Sequence, residues 1–253
     1  MKDTGILVFN KKTVLEDYLV FKWMEIARRA ISERGLFAAA LSGGRTPAGF
    51  FRSLAGGRDE SVWRNTHLFM VDERIVPHED EASNWKMMDE NLFSRCPVPR
   101  ENIHPIPTGC RPEDCAQRYE MDLRTFSFFK AEAAEGGFPV FDLVHLGLGE
   151  DGHTASLFPG SPVLKEKSRL AAAVPDASRH DRVTLTYPVI NSARNIIFLV
   201  MGEDKAGILA RVAGKERDLP ASAVFPQKGH LFFLADRGAA SRLRPGSYES
   251  YVE

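Results

Sequence analysis

The feature of this sequence that most limits its fold is a repeated order of local patterns, in which a short apolar segment runs into a turn and then into a helical segment. Short apolar runs bounded by glycine or charged residues are typical of buried strands, and apolar residues repeating every 3.6 positions predict helices. Strands that alternate with helices favour a mostly parallel sheet with helices on both faces and right-handed connections. The sequence therefore predicts an α/β fold.

The predicted elements cover most of the chain. The predicted strands are Ile6 to Phe9, Leu36 to Leu41, His67 to Val71, Phe141 to Leu148, Val183 to Thr186, Ile196 to Met201 and His230 to Leu234. The predicted helices are Val14 to Arg34, a helix with Pro47 in its first turn, Ser83 to Phe93, Glu113 to Ala134 and about Asp204 to Ala213. Glycine pairs at 56–57 and 136–137 lie inside this alternation, so we interpret them as surface loops and predict one domain over residues 1–253.

Charge and hydropathy limit the kind of partner. The 253 residues carry a formal net charge of -1, which argues against general electrostatic binding of nucleic acid or of an anionic membrane surface. The apolar run near the N-terminus, Ile6 to Phe9, is too short for a signal peptide or a membrane span. We therefore expect a small-molecule partner, no nucleic acid and no membrane. The oligomeric state is left open, and a monomer is compatible with the sequence.

The three cysteines, Cys96, Cys110 and Cys115, show neither a CxxC pair nor the spacing of zinc ligands. An odd count fits a reducing compartment better than a secreted disulfide framework. The cytoplasm is therefore the predicted location.

The segment Ser42-Gly43-Gly44-Arg45-Thr46 has the composition of a phosphate-binding turn. Its two glycines allow backbone N–H groups to face a ligand, a helix N-terminus follows, and hydroxyl and guanidinium donors are present. The segment fits equally well a tight strand-to-helix turn in which Ser42 or Thr46 caps the helix. It matches neither the Walker motif nor the dinucleotide fingerprint, so the sequence implies no nucleotide cofactor.

Further charges lie at the ends of predicted strands. Asp72 and Arg74 are two residues apart in an extended chain and so share a face, where they suit a sugar hydroxyl and an anion, or else form a surface ion pair. Arg182 precedes one predicted strand and Lys205 follows another. Isolated Arg and Lys residues are usually solvated, so these two are anion-binding candidates only as members of a larger pattern.

The turn from Gly147 to His153 carries the strongest chemical signal. An imidazole beside a carboxylate that orients it is the pairing that a general base needs to take a proton from water, so His153 and Asp151 are candidate catalytic residues. No second histidine lies at ligand spacing from them, which argues against a metal site. His145 falls inside the predicted strand, and we interpret it as a core residue.

Taken together, five segments resemble the 6-phosphogluconolactonase family in sequence and in order. They are SGGRTP at 42–47, DERIVP at 72–77 with Ser83 and Asn84 behind it, GLGEDGHTASLFP at 147–159, RVTLT at 182–186 and GEDK at 202–205. The resemblance extends from the first helix to the segments 220–222 and 236–240, and DGHTASLFP is its most specific part.

The resemblance implies a Rossmann-like fold shared with glucosamine-6-phosphate deaminase and ribose-5-phosphate isomerase. It also implies hydrolysis of 6-phospho-D-glucono-1,5-lactone to 6-phospho-D-gluconate, in the oxidative branch of the pentose phosphate pathway, with no cofactor. Two sets of residue roles follow from it. The implied phosphate-binding residues are Ser42, Gly43, Gly44, Arg45, Thr46, Arg182 and Lys205, and the residues expected around the sugar ring are Asp72, Arg74, Asp151 and His153.

On this hypothesis, His153 accepts a proton from the water that attacks the lactone carbonyl, and returns it to the ring oxygen when the tetrahedral intermediate opens. Asp151 fixes the orientation and tautomer of the imidazole. Backbone N–H groups of the glycine turn, with Arg74, stabilise the developing oxyanion.

Two other functions are compatible with the same fold. The related deaminase loop reads more like DGHIAFNEP, with an acidic residue a few positions after the histidine, whereas Thr154 to Pro159 contains no carboxylate. A non-catalytic sugar-phosphate-binding module needs the phosphate turn but no catalytic histidine. Such sensors usually carry a DNA-binding segment, and no helix-turn-helix pattern precedes Leu36. Lactone hydrolysis is therefore the preferred prediction.

Overall fold

The computed structural model describes residues 4–57, 59–131, 137–176 and 179–251, and its strands and helices alternate along the chain. The strands are β1 (Thr4–Phe9), β2 (Phe37–Leu41), β3 (Thr66–Met70), β4 (Asp72–Arg74), β5 (Ile103–His104), β6 (Leu143–Leu146), β7 (Ala171–Val174), β8 (Arg182–Leu185), β9 (Asn195–Val200), β10 (His230–Asp236) and β11 (Glu249–Tyr251). The helices are α1 (Lys12–Arg34), α2 (Ala48–Ala55), α3 (Glu60–Arg64), α4 (Asn84–Met88), α5 (Pro112–Thr125), α6 (Ser127–Ala131), α7 (Tyr187–Ile190), α8 (Ala206–Ala213) and α9 (Arg237–Ala240). Of these described helices, none has the length and apolar character needed to cross a membrane.

Eight of the described strands form one sheet in the order β11-β1-β10-β9-β6-β2-β3-β5, and all neighbouring pairs in it are parallel. The chain moves outward from β2 through β3 to β5 and then returns to β6 on the other side of β2. The strand order therefore reverses between β2 and β6. Open α/β sheets bind ligands at such a reversal, beyond the carboxyl ends of the strands. The predicted mostly parallel α/β sheet is confirmed.

Helices cover both faces of this sheet, as predicted. On one face, the ring of Phe37 in β2 packs edge-on against Trp23 of α1, with centroids 5.0 Å apart. On the other face, Phe69 of β3 packs against Phe129 of α6, with centroids 5.3 Å apart. Phe37 and Phe69 therefore lie on opposite faces of the sheet. Phe37 pairs with Thr66, so these two side chains point to the same face. Phe69 is an odd number of residues from Thr66, and successive strand residues point to opposite faces.

A second, smaller sheet of three antiparallel strands, in the order β4-β8-β7, was not predicted. The segment RVTLT at 182–186, expected as a further strand of the alternating pattern, forms β8 here. Val71 links the two sheets, because its N–H donates to the Leu41 carbonyl at 2.9 Å and its own carbonyl accepts from Leu185 N–H at 2.8 Å. Through this link, β4 leaves the parallel sheet directly after β3 and lies beside β8.

Two predicted helices are less regular than expected. The predicted helix Glu113 to Ala134 ends at Thr125, because Phe126 adopts an extended backbone with ψ 114° and its ring packs against Phe69. The chain re-enters a helix in α6, and positions 132–134 lie outside the described residues. The predicted helix Ser83 to Phe93 consists of α4 and a π-helical continuation, Asp89–Phe93.

Cys110 and Cys115 form a disulfide bond at the start of α5, while Cys96 carries a free thiol. The spacing of the cysteines did not predict this bond. With two of the three cysteines paired, the odd count no longer argues for a reducing compartment, and the cytoplasmic location stays a prediction.

The core is one cluster of buried hydrophobic side chains that draws on both sheets, with Phe69 and Val183 among its members. This continuity supports the proposal of one domain. His145 is buried in the core as expected, with 1% of its surface exposed, and its ring packs against Phe50 and Phe51. Neither ring nitrogen of His145 has a hydrogen-bond partner among the described residues, and burial lowers its pKa to about 4.

Replacing His145 with leucine should remove part of the acid sensitivity of folding. A histidine with a pKa of about 4 when folded and 6.5 when unfolded takes up a proton on unfolding, so stability is lost as the pH falls below 6.5. At ~1.4 kcal/mol per pH unit, the wild type should lose about 2 kcal/mol more than His145→Leu between about pH 7 and pH 5. Urea unfolding at both pH values measures the difference. The exposed His180, changed to leucine, is the control, and equal losses in wild type and His145→Leu would contradict the expectation.

The Tyr119 side chain makes the hydrogen bonds that a neighbouring strand would otherwise make to the end of β3. Strand β5 pairs only with Leu68 and Phe69, so Met70 extends beyond it. The buried Tyr119 hydroxyl donates to the Met70 carbonyl at 2.7 Å and accepts from the Met70 N–H at 3.1 Å. One side chain from α5 therefore satisfies both backbone groups at the point where the chain turns toward β4.

Tyr119→Phe should destabilise the protein by about 1–3 kcal/mol, because it leaves a buried N–H and a buried carbonyl without a partner. The free energy of unfolding in urea measures this loss. The matched control is Tyr248→Phe, since the Tyr248 hydroxyl makes no hydrogen bond within the described part of the chain. Equal stability of the two variants would show that water replaces the Tyr119 hydroxyl.

Candidate active site

A cleft of about 220 Å³ lies beyond the carboxyl ends of β2, β3, β6 and β9. These four strands are neighbours in the parallel sheet, and the strand order reverses among them. Segments that follow them in the sequence therefore meet at one edge, although they are far apart along the chain. The candidate site is built from these segments and from β8, which adds Arg182.

The turn after β2 forms one wall of the cleft. Gly44 has φ 101°, a left-handed conformation that glycine adopts without strain. A Cβ atom on Gly43 would lie 2.2 Å from the Asn84 side-chain oxygen, so only glycine fits there. The buried Ser42 hydroxyl has no hydrogen-bond partner among the described residues. The turn thus brings backbone and hydroxyl groups to the cleft before α2 begins.

Three cationic side chains line the cleft: Arg74, Arg182 and Lys205. Arg74 and Arg182 are directly opposite each other in the β4–β8 pair. Burial lowers the pKa of Arg182, and the neighbouring Arg74 cation lowers it further. The Lys205 ammonium lies 3.7 Å from a carboxylate oxygen of Glu150 and of Asp204, which are loose contacts. So much positive charge on one small surface suits an anionic ligand.

His153 is held by its own loop. Its ring Nδ1 lies 2.5 Å from Asp151 Oδ1, and its backbone N–H donates to the same oxygen at 3.0 Å. Gly149 leaves room for the ring, since a Cβ there would lie 2.1 Å from Nδ1. Partial burial raises the pKa of Asp151, but the bonds from the His153 N–H and ring outweigh it, and the net shift is downward. An ionised Asp151 makes Nδ1 the protonated nitrogen, and Nε2 is left as the basic one.

The Phe158 ring contacts both the imidazole and one of the cations. Its ring centroid is 4.6 Å from that of His153, and the Arg182 guanidinium lies over the same ring at 5.2 Å. The aromatic ring therefore packs against the imidazole and also stabilises the buried cation. No pattern in the sequence had singled out this residue.

Asp72 and Glu73 are both buried but have different surroundings. Asp72 lines the cleft and accepts a hydrogen bond from the Ser156 hydroxyl at 2.6 Å. Glu73 points away from the cleft lining and accepts from three backbone N–H groups and from the Ser83 hydroxyl. Burial raises the pKa of Glu73 even though these donors oppose the shift.

Most of the predicted site residues meet in the cleft. Those that line it are Ser42, Gly43, Gly44, Thr46, Asp72, Arg74, His153, Arg182 and Lys205. Asp151 contacts the His153 ring but does not line the cleft, and Arg45 is exposed outside it. Within the ranges described, no three His, Cys, Asp or Glu side chains group closely enough to hold a metal ion.

Several residues of the site were not predicted to belong to it. Asn84 had been noted only as part of the resemblance, and His145 only as a core residue, yet both contribute to the cleft lining. Ser156 and Phe158 lie in the string DGHTASLFP, but their contacts to Asp72 and Arg182 join segments distant in sequence. Only the motif that contains them pointed to their region.

Comparison with known proteins agrees with this geometry. The family model for glucosamine-6-phosphate isomerases/6-phosphogluconolactonase matches residues 10–233. A 6-phosphogluconolactonase of a Synechocystis species is 42% identical over 243 residues, covering 94% of this chain and 98% of the relative.

Solved structures extend the comparison. The 6-phosphogluconolactonase from Trypanosoma cruzi superposes with a TM-score of 0.83 at 29% identity, covering 95% of this chain and 97% of that one. A monomeric glucosamine-6-phosphate deaminase superposes with a TM-score of 0.75 at 20% identity, covering 94% and 99%, a likeness of fold alone. The motifs, the sheet and the matched segments all lead to one assignment: this chain belongs to the glucosamine-6-phosphate isomerase/6-phosphogluconolactonase family.

Proposed function

We propose that this chain is an enzyme that hydrolyses 6-phospho-D-glucono-1,5-lactone to 6-phospho-D-gluconate, a step of the pentose phosphate pathway. The observation that carries the proposal is the position of His153, whose Nδ1 is bound to Asp151 while the ring lines a cleft rich in cations. The similarity to 6-phosphogluconolactonases over nearly the whole chain supports the same reaction.

The substrate phosphate binds at the cationic side of the cleft in this proposal. The Ser42–Thr46 turn offers N–H and hydroxyl donors, and Arg182 and Lys205 offer positive charge. A phosphate held there is remote from the reacting carbonyl, so its binding energy serves to position that carbonyl. Arg45 has no direct role in this arrangement, because its side chain is exposed outside the cleft.

His153 acts as the general base in this proposal. With Nδ1–H donated to Asp151, the lone pair of Nε2 is available to accept a proton from water as it attacks the lactone carbonyl. The same nitrogen returns the proton to the ring oxygen when the intermediate opens. Asp151 holds the tautomer and stabilises the imidazolium that forms in between, and N–H groups of the glycine turns stabilise the oxyanion.

The surroundings of His153 favour hydrolysis over sugar-phosphate deamination. Among the described residues, Asp151 is the only carboxylate bonded to the imidazole, and the apolar ring of Phe158 packs against it. Ring opening and deamination need additional acid/base capacity next to the imidazole. A module that only binds a sugar phosphate has no need for an imidazole that is oriented by a carboxylate, as His153 is by Asp151.

His153→Ala should lower kcat for the lactone by about 10²- to 10⁴-fold, because the variant has no general base. Initial rates of acid release, corrected for spontaneous hydrolysis, measure the effect. His180→Ala removes an exposed histidine outside the cleft and should retain wild-type turnover. Wild-type kcat in His153→Ala would exclude His153 as the base, and ammonia release from glucosamine 6-phosphate by the wild type would support the deaminase instead.

Lys205→Ala should raise KM for the phosphorylated lactone by about 10-fold or more, since a charge-assisted contact to phosphate is lost. The same variant should change the rate on D-glucono-1,5-lactone, which has no phosphate, by less than about 2-fold. Lys228→Ala, at an exposed position outside the cleft, is the matched control. An equal effect of Lys205→Ala on both lactones would place the phosphate elsewhere.

A further inference from the structure

Ser156 is a fully buried hydroxyl three positions after His153, and both of its hydrogen bonds leave its own loop. Its Oγ donates to Asp72 Oδ2 at 2.6 Å. Its backbone N–H donates to the Thr184 hydroxyl at 3.2 Å. Asp72 and Thr184 are directly opposite each other in the β4–β8 pair, so Ser156 contacts both members of one cross-strand pair. The loop that carries the imidazole is thereby joined to the small antiparallel sheet.

The bond to Ser156 leaves one side of the Asp72 carboxylate open to a ligand. Among the residues that the structure describes, the other oxygen, Oδ1, has only a long contact to the Asn84 side-chain amide, at 3.5 Å. Asp72 is 5% exposed and lines the cleft. A carboxylate with one oxygen fixed and the other weakly bonded is suited to accept a hydrogen bond from a hydroxyl group of a ligand.

Positively charged side chains lie near Asp72. The Asp72 anion and Arg182 interact electrostatically, and Arg74 is opposite Arg182 in the same strand pair. The Ser156 bond restrains the torsion of the Asp72 carboxylate, and so the direction of Oδ1.

We propose that Ser156 is a positioning residue for the reaction: it orients the Asp72 carboxylate toward a hydroxyl group of the sugar ring and fixes the distance between Asp72 and the His153 loop. This inference rests on the proposed lactone hydrolysis. A ring hydroxyl held by Asp72 then keeps the carbonyl carbon within reach of the water at His153. Ser156 itself does not touch the substrate.

Ser156→Ala should lower kcat/KM for the phosphorylated lactone by about 10-fold, with both a higher KM and a lower kcat, because Asp72 loses its fixed orientation. Thr66→Val is the matched control. Thr66 is an equally buried hydroxyl that donates to the Val62 carbonyl at the start of β3, at the far end of the sheet. This control should lose stability but retain wild-type KM and kcat.

A double-mutant cycle with Asp72→Ala, which removes the acceptor of the Ser156 hydroxyl, separates positioning from general loss of structure. If Ser156 acts through Asp72, then Ser156→Ala should change kcat/KM by less than about 2-fold once Asp72 is already alanine. A full 10-fold loss in that background, or wild-type kinetics of the single variant, would overturn the inference. Ser156→Cys keeps the shape of the side chain with a weaker donor and should give an intermediate loss, so it replaces the alanine variant in the cycle if that variant does not fold.

The same cycle is measured by calorimetric binding of 6-phosphogluconate, which presents ring-derived hydroxyls and the phosphate without any reaction. Coupling between Ser156 and Asp72 in Kd should match the coupling in kcat/KM. A wild type that binds this ligand but hydrolyses no lactone would overturn the proposed function. The coupling in Kd would still decide the role of Ser156, and its absence would end the inference.

Discussion

The shape of the cleft depends on how the buried carboxylate of Glu73 is satisfied. It accepts three hydrogen bonds of 2.7 Å from the N–H groups of Arg74, Asn84 and Trp85, and one of 3.1 Å from the Ser83 hydroxyl. An unpaired carboxylate in the core is very costly, so these donors must be present for this region to fold. They belong to β4 and to the start of α4, and the intervening segment is therefore closed into a loop. One side chain thus fixes where α4 begins relative to the site.

Charged groups and groups of fixed direction have different roles in the cleft. The cations Arg74, Arg182 and Lys205 supply the attraction for an anionic ligand, but a guanidinium or ammonium group attracts any anion of suitable size. Selectivity for one reaction comes from groups whose direction is fixed by their contacts, such as His153, which is bonded to Asp151 and packs against Phe158. This difference in roles explains why buried hydroxyl and amide groups, such as those of Ser156 and Asn84, accompany the charged residues of the site.

The sequence predicts those parts of the structure that local patterns determine. The strands before Ser42 and Gly147, the long helix α1 and the turns that follow the strands were all expected, because periodicity and glycine positions act within a few residues. The Asp151–His153 pair is also local, since the two side chains belong to one turn. The meeting of these turns in one cleft followed from the general behaviour of parallel sheets.

The parts that sequence patterns did not predict depend on contacts between distant segments. Strand β4 has only three residues, and its pairing with β8 is set by Val71, which bonds to both sheets. The break at Phe126 arises because its ring packs onto Phe69, and nothing in the local sequence reveals that partner. For the same reason, the contribution of Ser156 becomes visible only beside Asp72.

The close approach of Asn84 to Gly43 limits how this site can diverge. Asn84 is also bonded to the backbone carbonyl of Asp72 at 3.0 Å, so its side chain has little freedom to move aside. A larger residue at 43 is tolerated only if position 84 becomes smaller at the same time, which breaks the link to Asp72. Substitutions at positions 43 and 84 should therefore occur together. A substitution at either position alone damages the site before a second substitution can compensate.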